Sequence, residues 1–351
     1  LGPDRFPDGI NRTGRDVAKA RKNSGGGTLP LFAEDDASPS AASYAGQNAD
    51  RLRRWAGRGI FFGTSSWKYP GWKGMVYTRS YPSKRDFDQE CLSEYATIFP
   101  TVCADFALYD FPQPLRMRAI FEQTPDHFTV SFKVTDRITV KRYPNLPRHG
   151  ANAGQENPDF LNVALFEDAF LRPLEELRQK CGVIIFEFST FYPSSGITFP
   201  VFVSLIDAFF AKLPKDHAYA VEIRNTDFLK EEYLAVLRSH GVAHVLSSWT
   251  RMPPLAEQLD VPGVLPAPFA AMRALLKPER MYQEAVDRFQ PYDRIQEPLP
   301  ELRRAVADAV VRCVKEQKKL YAYVNNRAEG NSSTTIEAIL DILADYPVEK
   351  L

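Results

Sequence analysis

From residue 59 onward, short apolar runs alternate with longer stretches of helical period. The runs are rich in β-branched and aromatic residues and are bounded by Gly, Pro, Asn or Asp, which predicts strands. Eight are present, at residues 60–63, 101–105, 128–134, 183–188, 219–223, 242–247, 269–273 and 321–324. Helical patterns fall between and after them at 88–98, 160–179, 201–212, 230–240, 301–318 and 334–344. Eight strands, each followed by a helix or a helix-bearing connection, fit a closed parallel (β/α)8 barrel of the TIM type. An open doubly wound sheet is the alternative, but no G-x-G-x-x-G phosphate fingerprint is present to mark it.

Residues 1–57 break with this pattern. They hold Gly25-Gly26-Gly27, the acidic Glu34-Asp35-Asp36 and a Ser/Ala-rich stretch. Such composition buries too little apolar surface to offset chain entropy, so a disordered N-terminal tail is expected, with the barrel domain spanning 58–351. Within the tail, Leu29-Pro30-Leu31-Phe32 is an apolar island and a candidate partner-docking motif. It resembles the short Leu-Phe motifs by which bacterial proteins engage the DNA sliding clamp, with Thr28 in place of the usual leading Gln. Long loops at 137–158, 248–268 and 274–300 would lie over the C-terminal mouth as candidate lids.

Charge narrows the partners. Lys+Arg and Asp+Glu are both 44, a net charge of zero, which argues against broad nucleic-acid or membrane electrostatics. No run approaches the roughly 18 apolar residues of a membrane span, and no apolar stretch with basic flanks suggests a secretory signal. Cys91, Cys103, Cys181 and Cys313 are widely separated, which fits reduced thiols in a cytoplasmic protein.

Barrel sites lie at the carboxyl ends of the strands. Reading those ends in order collects Trp67, Tyr69 and Trp72 after the first strand, and Asp105 and Tyr109 after the second. Lys133 and Glu187 end the third and fourth strands, and Glu222, Arg224 and Asn225 end the fifth. Trp249, Arg273, Asn325 and Asn326 complete the set. Period-two alternation turns Lys133 inward with Thr129 and Ser131, and Glu222 and Arg224 inward with Ala218 and Ala220. Cys103 and Asp105 share a face likewise. The fourth strand is apolar throughout, so the facing of Glu187 stays open.

The run Gly63-Thr64-Ser65-Ser66-Trp67-Lys68-Tyr69-Pro70-Gly71-Trp72 resembles the G-[TC]-S-x-W-x-Y-x-x-W opening of the domain-of-unknown-function-72 (YecE-like) family. Tyr95-Ala96, Thr124-Pro125 with Phe128 and Lys133, Val221-Glu222-Ile223-Arg224-Asn225 and Val324 to Asn331 match it too, over about residues 58–347. The resemblance implies a TIM-type barrel and carries no mechanism with it. Two positions depart from the family's usual pattern. Asp105-Phe106-Ala107-Leu108-Tyr109 stands where many members have Glu-x-Asn-x-x-Phe-Tyr, and Glu187 stands where many have Gln.

Three chemistries fit these residues. In the first, Glu187 and Glu222 sit on adjacent strands about 5 Å apart and divide the roles, Glu222 as base or nucleophile and Glu187 as acid. Lys133, Arg224 and Arg273 would orient an anion, and Asn225, Asn325 and Asn326 would hydrogen-bond the ligand. Trp67, Trp72 and Trp249, with Tyr69 and Tyr109, would wall the site. The protein would then be a hydrolase or isomerase of a small polar molecule, anionic or sugar-like. In the second, Asp105, Glu187 and Glu222 hold Mg2+ or Mn2+ for phosphoester hydrolysis. In the third, Lys141, Arg142, Arg148 and Arg327 line the rim and grip nucleic-acid phosphates while the tryptophans stack on bases. His127, His149, His217, His240 and His244 are absent from the strand ends, and His244 falls mid-strand as a core residue. Neither G-x-S-x-G nor a P-loop is present.

Overall fold

A computed structural model describes residues 43–346. Its eight strands are β1 Ile60–Thr64, β2 Thr101–Ala104, β3 Thr129–Lys133, β4 Cys181–Glu187, β5 Ala218–Glu222, β6 Ala243–Ser248, β7 Phe269–Ala274 and β8 Lys319–Val324. They pair in parallel in sequence order, and β8 closes on β1. This is the (β/α)8 barrel the alternation predicts.

The two faces of each strand build two cores. Bulky residues such as Val130, Phe132, Phe186, Val221 and Leu246 point outward into the layer shared with the helices. Smaller ones, including Cys103, Ala220, Ala243, Val245 and Ala271, fill the interior with Val183, Ile185, Tyr321 and Tyr323. The Tyr323 hydroxyl hydrogen-bonds Ser131 Oγ at 2.5 Å and Thr101 Oγ1 at 3.1 Å. The barrel interior below the mouth is therefore a packed plug.

A bulge decides which way β4 faces. Val130 pairs with Cys181, but Phe132 pairs with Ile184, so β4 carries one extra residue. A Cβ at Gly182 would lie 2.6 Å from Ser131 Oγ. With glycine there, Ser131 Oγ accepts the Val183 N–H at 2.7 Å. Past the bulge, Val183 and Ile185 point in, Ile184 and Phe186 point out, and Glu187 reaches the mouth directly opposite Glu222.

The structure corrects the N-terminal boundary. Residues through 57 were expected to belong to the tail, yet Tyr44–Ala56 forms a helix capped by Ser43. Tyr44, Asn48, Leu52 and Trp55 recur at helical spacing and are buried. The Tyr44 hydroxyl donates to Ser333 O at 2.8 Å, and Asn48 donates to Glu337 at 2.9 Å. The candidate motif at Leu29–Phe32 lies outside the described residues.

The helix expected over 160–179 is broken into short turns. A π-helical segment, Phe166–Leu171, is followed by Arg172–Leu174 and a tight 3-10 stretch, Glu175–Lys180. Pro173 supplies no N–H for a continuous α-helix there.

Candidate active site

The loops over the mouth are built structures. After β3, Asn157 ties the excursion down. Its Nδ2 donates to Arg137 O and Val140 O at 2.8 Å each, and its Oδ1 accepts from Tyr143 at 3.0 Å. The later excursions carry the helices Leu255–Asp260 and Tyr282–Phe289. Residues of the first excursion, with Trp249, Leu275 and Tyr282 of the later ones, wall a cavity of about 160 Å3 over the strand ends.

The floor of the cavity is an ion-pair lattice. Lys133 Nζ lies 2.7 Å from Glu187 Oε2, which also meets Arg273 at 2.9 Å and Arg224 at 3.3 Å. Glu222 receives Arg224 at 2.7 Å, Arg273 at 2.5 Å and the Ser247 hydroxyl at 2.7 Å. Arg273 reaches Asp105 at 3.5 Å. Three cations thus oppose three carboxylates, and the floor is close to neutral.

Burial alone would raise the pKa of both glutamates. For Glu187, the charges of Lys133, Arg224 and Arg273 outweigh it and hold the carboxyl well below the usual range. For Glu222, Arg224 and Arg273 lower the pKa against burial and the added repulsion of Glu187. Burial would also discharge Lys133, but Glu187 more than restores its proton affinity. Every one of these groups is held in its charged form.

This changes the expected roles. Glu222 is 0% exposed and does not line the cavity, while the Glu187 side chain is 18% exposed and does. Glu222, expected as base or nucleophile, anchors two guanidinium groups. Glu187, expected as acid, faces the cavity among three cations that favour its charged form.

Several expected ligand contacts are structural instead. Trp72 is fully buried between Tyr77 and Tyr95, and Trp67 packs edge-on against Phe106. The chain after β1 turns back at Pro70–Trp72 and carries Trp72 into the core. Tyr69 packs on Trp72 and Tyr292 rather than lining the cavity. Asn225 clasps the loop after β4, accepting from Phe191 N at 2.8 Å and donating to Phe191 O at 3.1 Å. Asn325 caps the turn at Arg327 N, and Asn326 Oδ1 accepts from Ser332 N and Oγ. Neither of these two asparagines lines the cavity. Trp249 does line it, but Arg224 covers its face at 4.0 Å.

Asp105, Tyr109, Lys133, Glu187, Arg224, Trp249 and Arg273 do come together in the cavity, as expected. Of the rim cations, Arg148 and Arg327 reach it, whereas Lys141 and Arg142 face Glu156 outside. Sequence reasoning missed Asp136 and Tyr282. Asp136 follows β3 by three residues, and the Thr135 cap before it is the signal that could have found it. Burial raises its pKa, opposed by His149 and Arg148.

Asp105, Glu187 and Glu222 do not fit a Mg2+ or Mn2+ ion, since their oxygens face Lys133, Arg224 and Arg273. Among the described residues, no group of three or more His, Cys, Asp or Glu is arranged to hold a metal. Also among the described residues, no helix is long and apolar enough to cross a membrane. His244 is a buried core residue beside Tyr233, and burial depresses its pKa to about 4.

Fold and site define a parallel α/β barrel with a charged, ligand-sized cavity at its C-terminal mouth. The chain belongs to the family described as protein of unknown function DUF72, whose model matches residues 61–349. The solved DUF72 protein of Enterococcus faecalis has a TM-score of 0.54 to it at 17% identity, covering 81% of this chain and 97% of that one. The DUF72 protein of Thermotoga maritima gives 0.54 at 19% identity, covering 81% and 99%. These likenesses bear on the fold alone. No curated protein matches the chain.

Proposed function

We propose that the mouth is the active site of an enzyme that moves a proton on a small polar substrate, an isomerase-type reaction. The observation that carries this reading is the exposed edge of Glu187, a carboxylate in the cavity with Lys133 Nζ at 2.7 Å and Arg273 at 2.9 Å. Glycoside hydrolysis in the usual two-carboxyl manner needs one carboxyl protonated at the start. Glu187 and Glu222 are both held ionised, which favours base chemistry over that split.

In the proposed step, Glu187 takes a proton from carbon next to a carbonyl. The C–H electron pair becomes the C=C bond of an enediolate, and the carbonyl oxygen gains the charge. Lys133 and Arg273 face that oxygen and stabilise it. Glu187 then returns the proton to the former carbonyl carbon, while the hydroxyl on the first carbon becomes the new carbonyl and passes its O–H proton to the charged oxygen, so nothing is consumed. A carboxylate gripped by three cations is a weak base. A substrate oxygen that draws Lys133 and Arg273 toward itself loosens that grip and raises the basicity of Glu187 as the bond breaks.

Four unpaired cysteines support a reducing, cytoplasmic setting for this activity. The nucleic-acid reading loses support, because Trp67 and Trp72 are withdrawn into the core and Arg224 already stacks on Trp249.

The test is hydrogen exchange. The protein is incubated in D2O with hydroxyketones, aldoses, hydroxy acids and sugar phosphates, and carbon-bound deuterium is followed by NMR. Exchange by the wild type that is lost in Glu187→Gln supports the reading. Exchange by neither protein, or equal exchange by both, rejects it.

A further inference from the structure

We propose that Arg327, together with Arg148, forms an anion subsite in the wall of the mouth that takes a phosphate or carboxylate group of the substrate. This rests on the mouth being the ligand site and names the class of molecule it accepts. Five cations line the cavity. Four have carboxylate partners: Lys133 with Glu187 at 2.7 Å, Arg224 with Glu222 at 2.7 Å, Arg273 with Glu222 at 2.5 Å, and Arg148 with Asp136 at 3.5 Å. Among the described residues, no carboxylate lies within ion-pair distance of Arg327. Asp105 acts on it only at longer range.

Arg327 is nevertheless held in place. The Tyr282 ring lies 4.5 Å from its guanidinium, and Tyr292 stands close by. Tyr292 is itself fixed edge-to-face against Tyr69 at 5.6 Å. Below, Asn325 Oδ1 accepts the Arg327 N–H at 3.0 Å. A cation–π contact compensates a guanidinium only in part, and an oxyanion would add charge-assisted hydrogen bonds to it. The site therefore holds a cation ready for a counter-charge that the chain itself does not supply.

Charge balance points the same way. The floor opposes three cations with three carboxylates, and Asp136 offsets Arg148. What remains is the positive charge of Arg327, so the cavity draws an anion. A planar guanidinium with one face on Tyr282 keeps its edge N–H groups for an oxyanion, which it can hold by two bonds at once. Arg148 meets Asp136 at 3.5 Å, a loose pair that can turn a donor toward the same group. A substrate anchored by its anionic end at Arg327 would present its other end to Glu187 and Lys133, which line the same cavity.

The experiment is calorimetric titration of the full chain with inorganic phosphate and, separately, with acetate, at low ionic strength. The wild type should bind at least one saturably, and Arg327→Gln should weaken that binding tenfold or more. Arg327→Lys keeps the charge but loses the fork, so it should fall between them; it carries the test if the Gln variant does not fold. Lys319→Gln, at the opposite end of the barrel, should bind as the wild type does. Tighter phosphate binding assigns a phosphate ester, and tighter acetate binding assigns a carboxylic acid. No saturable binding of either ion, or undiminished binding by both Arg327 variants, overturns the proposal. Glu187→Gln removes a negative charge from the cavity and should bind the ion at least as tightly. Ion binding lost in the Arg327 variants, without any hydrogen exchange by the wild type, would reject the proton-transfer reading and leave the subsite standing.

Discussion

Replacing Glu222 by Gln separates a structural glutamate from a catalytic one. Glu222 is fully buried and takes Arg224 at 2.7 Å, Arg273 at 2.5 Å and the Ser247 hydroxyl at 2.7 Å. The amide keeps the shape and an acceptor for Ser247, but it turns an NH2 donor or a weak acceptor toward two guanidinium groups. Removing one partner of a buried ion pair costs about 3–5 kcal/mol, because the other charge is left uncompensated. A chain of this size loses roughly 2 °C in Tm per kcal/mol, so a fall of roughly 6–10 °C is expected. Glu187→Gln leaves Lys133 without its ion-pair partner, but Arg224 keeps Glu222, and Arg273 keeps Glu222 and Asp105. The Glu187 side chain is also partly exposed, so that water can compensate, which should make it cost less. Differential scanning calorimetry of the three proteins at pH 7 measures both. A Glu222→Gln protein that melts within about 1 °C of wild type would refute the claim that Glu222 holds the mouth together.

Further outcomes follow from the same contacts. The folded pKa values of Glu187 and Glu222 are depressed, so their stabilisation is present above the unfolded carboxylate range and is lost as pH falls through the folded values. The acid limb of a stability–pH curve should therefore flatten in the Glu222→Gln protein, and an unchanged limb would contradict the assignment. Lys133 is shifted upward, so its contribution is present below the unfolded lysine pKa and is lost as pH rises through the folded value. Wild type should thus lose stability at high alkaline pH in a way that Lys133→Met does not. For His244 at about 4, the unfolded chain binds the extra proton between that value and about 6.5. Acidifying across this window should cost on the order of 3 kcal/mol, and His244→Gln should lack that slope in urea titrations. Leu52→Ala in the N-terminal helix should cost about 2–5 kcal/mol, since Leu52 is fully buried against the barrel. A neutral result there would mean the helix is not part of the folded domain.

Much of the barrel was legible in the chain because each strand is a short apolar run with polar punctuation. Period two sufficed to turn Lys133, Glu222 and Arg224 inward, since Ser131 and Ala220 share their faces with small side chains. It could not orient Glu187, because β4 is apolar on both faces and its register depends on the Gly182 bulge. Accessibility escaped the sequence too. Glu187 and Glu222 stand side by side in register, yet only one reaches the cavity, and that depends on how two arginines fold over them. Trp67 and Trp72 looked like ligand walls because they follow a strand end. The turn at Pro70–Trp72, which buries Trp72, is a tertiary outcome no local pattern records. The Tyr44–Ala56 helix was present in the spacing of Tyr44, Asn48, Leu52 and Trp55, but the composition of the whole N-terminal segment masked it.

The most direct measurement is the ionisation of the two glutamates, followed by the 13C shift of their side-chain carboxyls across pH, with Glu187→Gln and Glu222→Gln to assign the signals. The account predicts that both remain ionised from neutral pH down to below the ordinary glutamate range. A carboxyl at Glu187 that titrates between about pH 5 and 8 would contradict it and restore a protonated acid to the mouth.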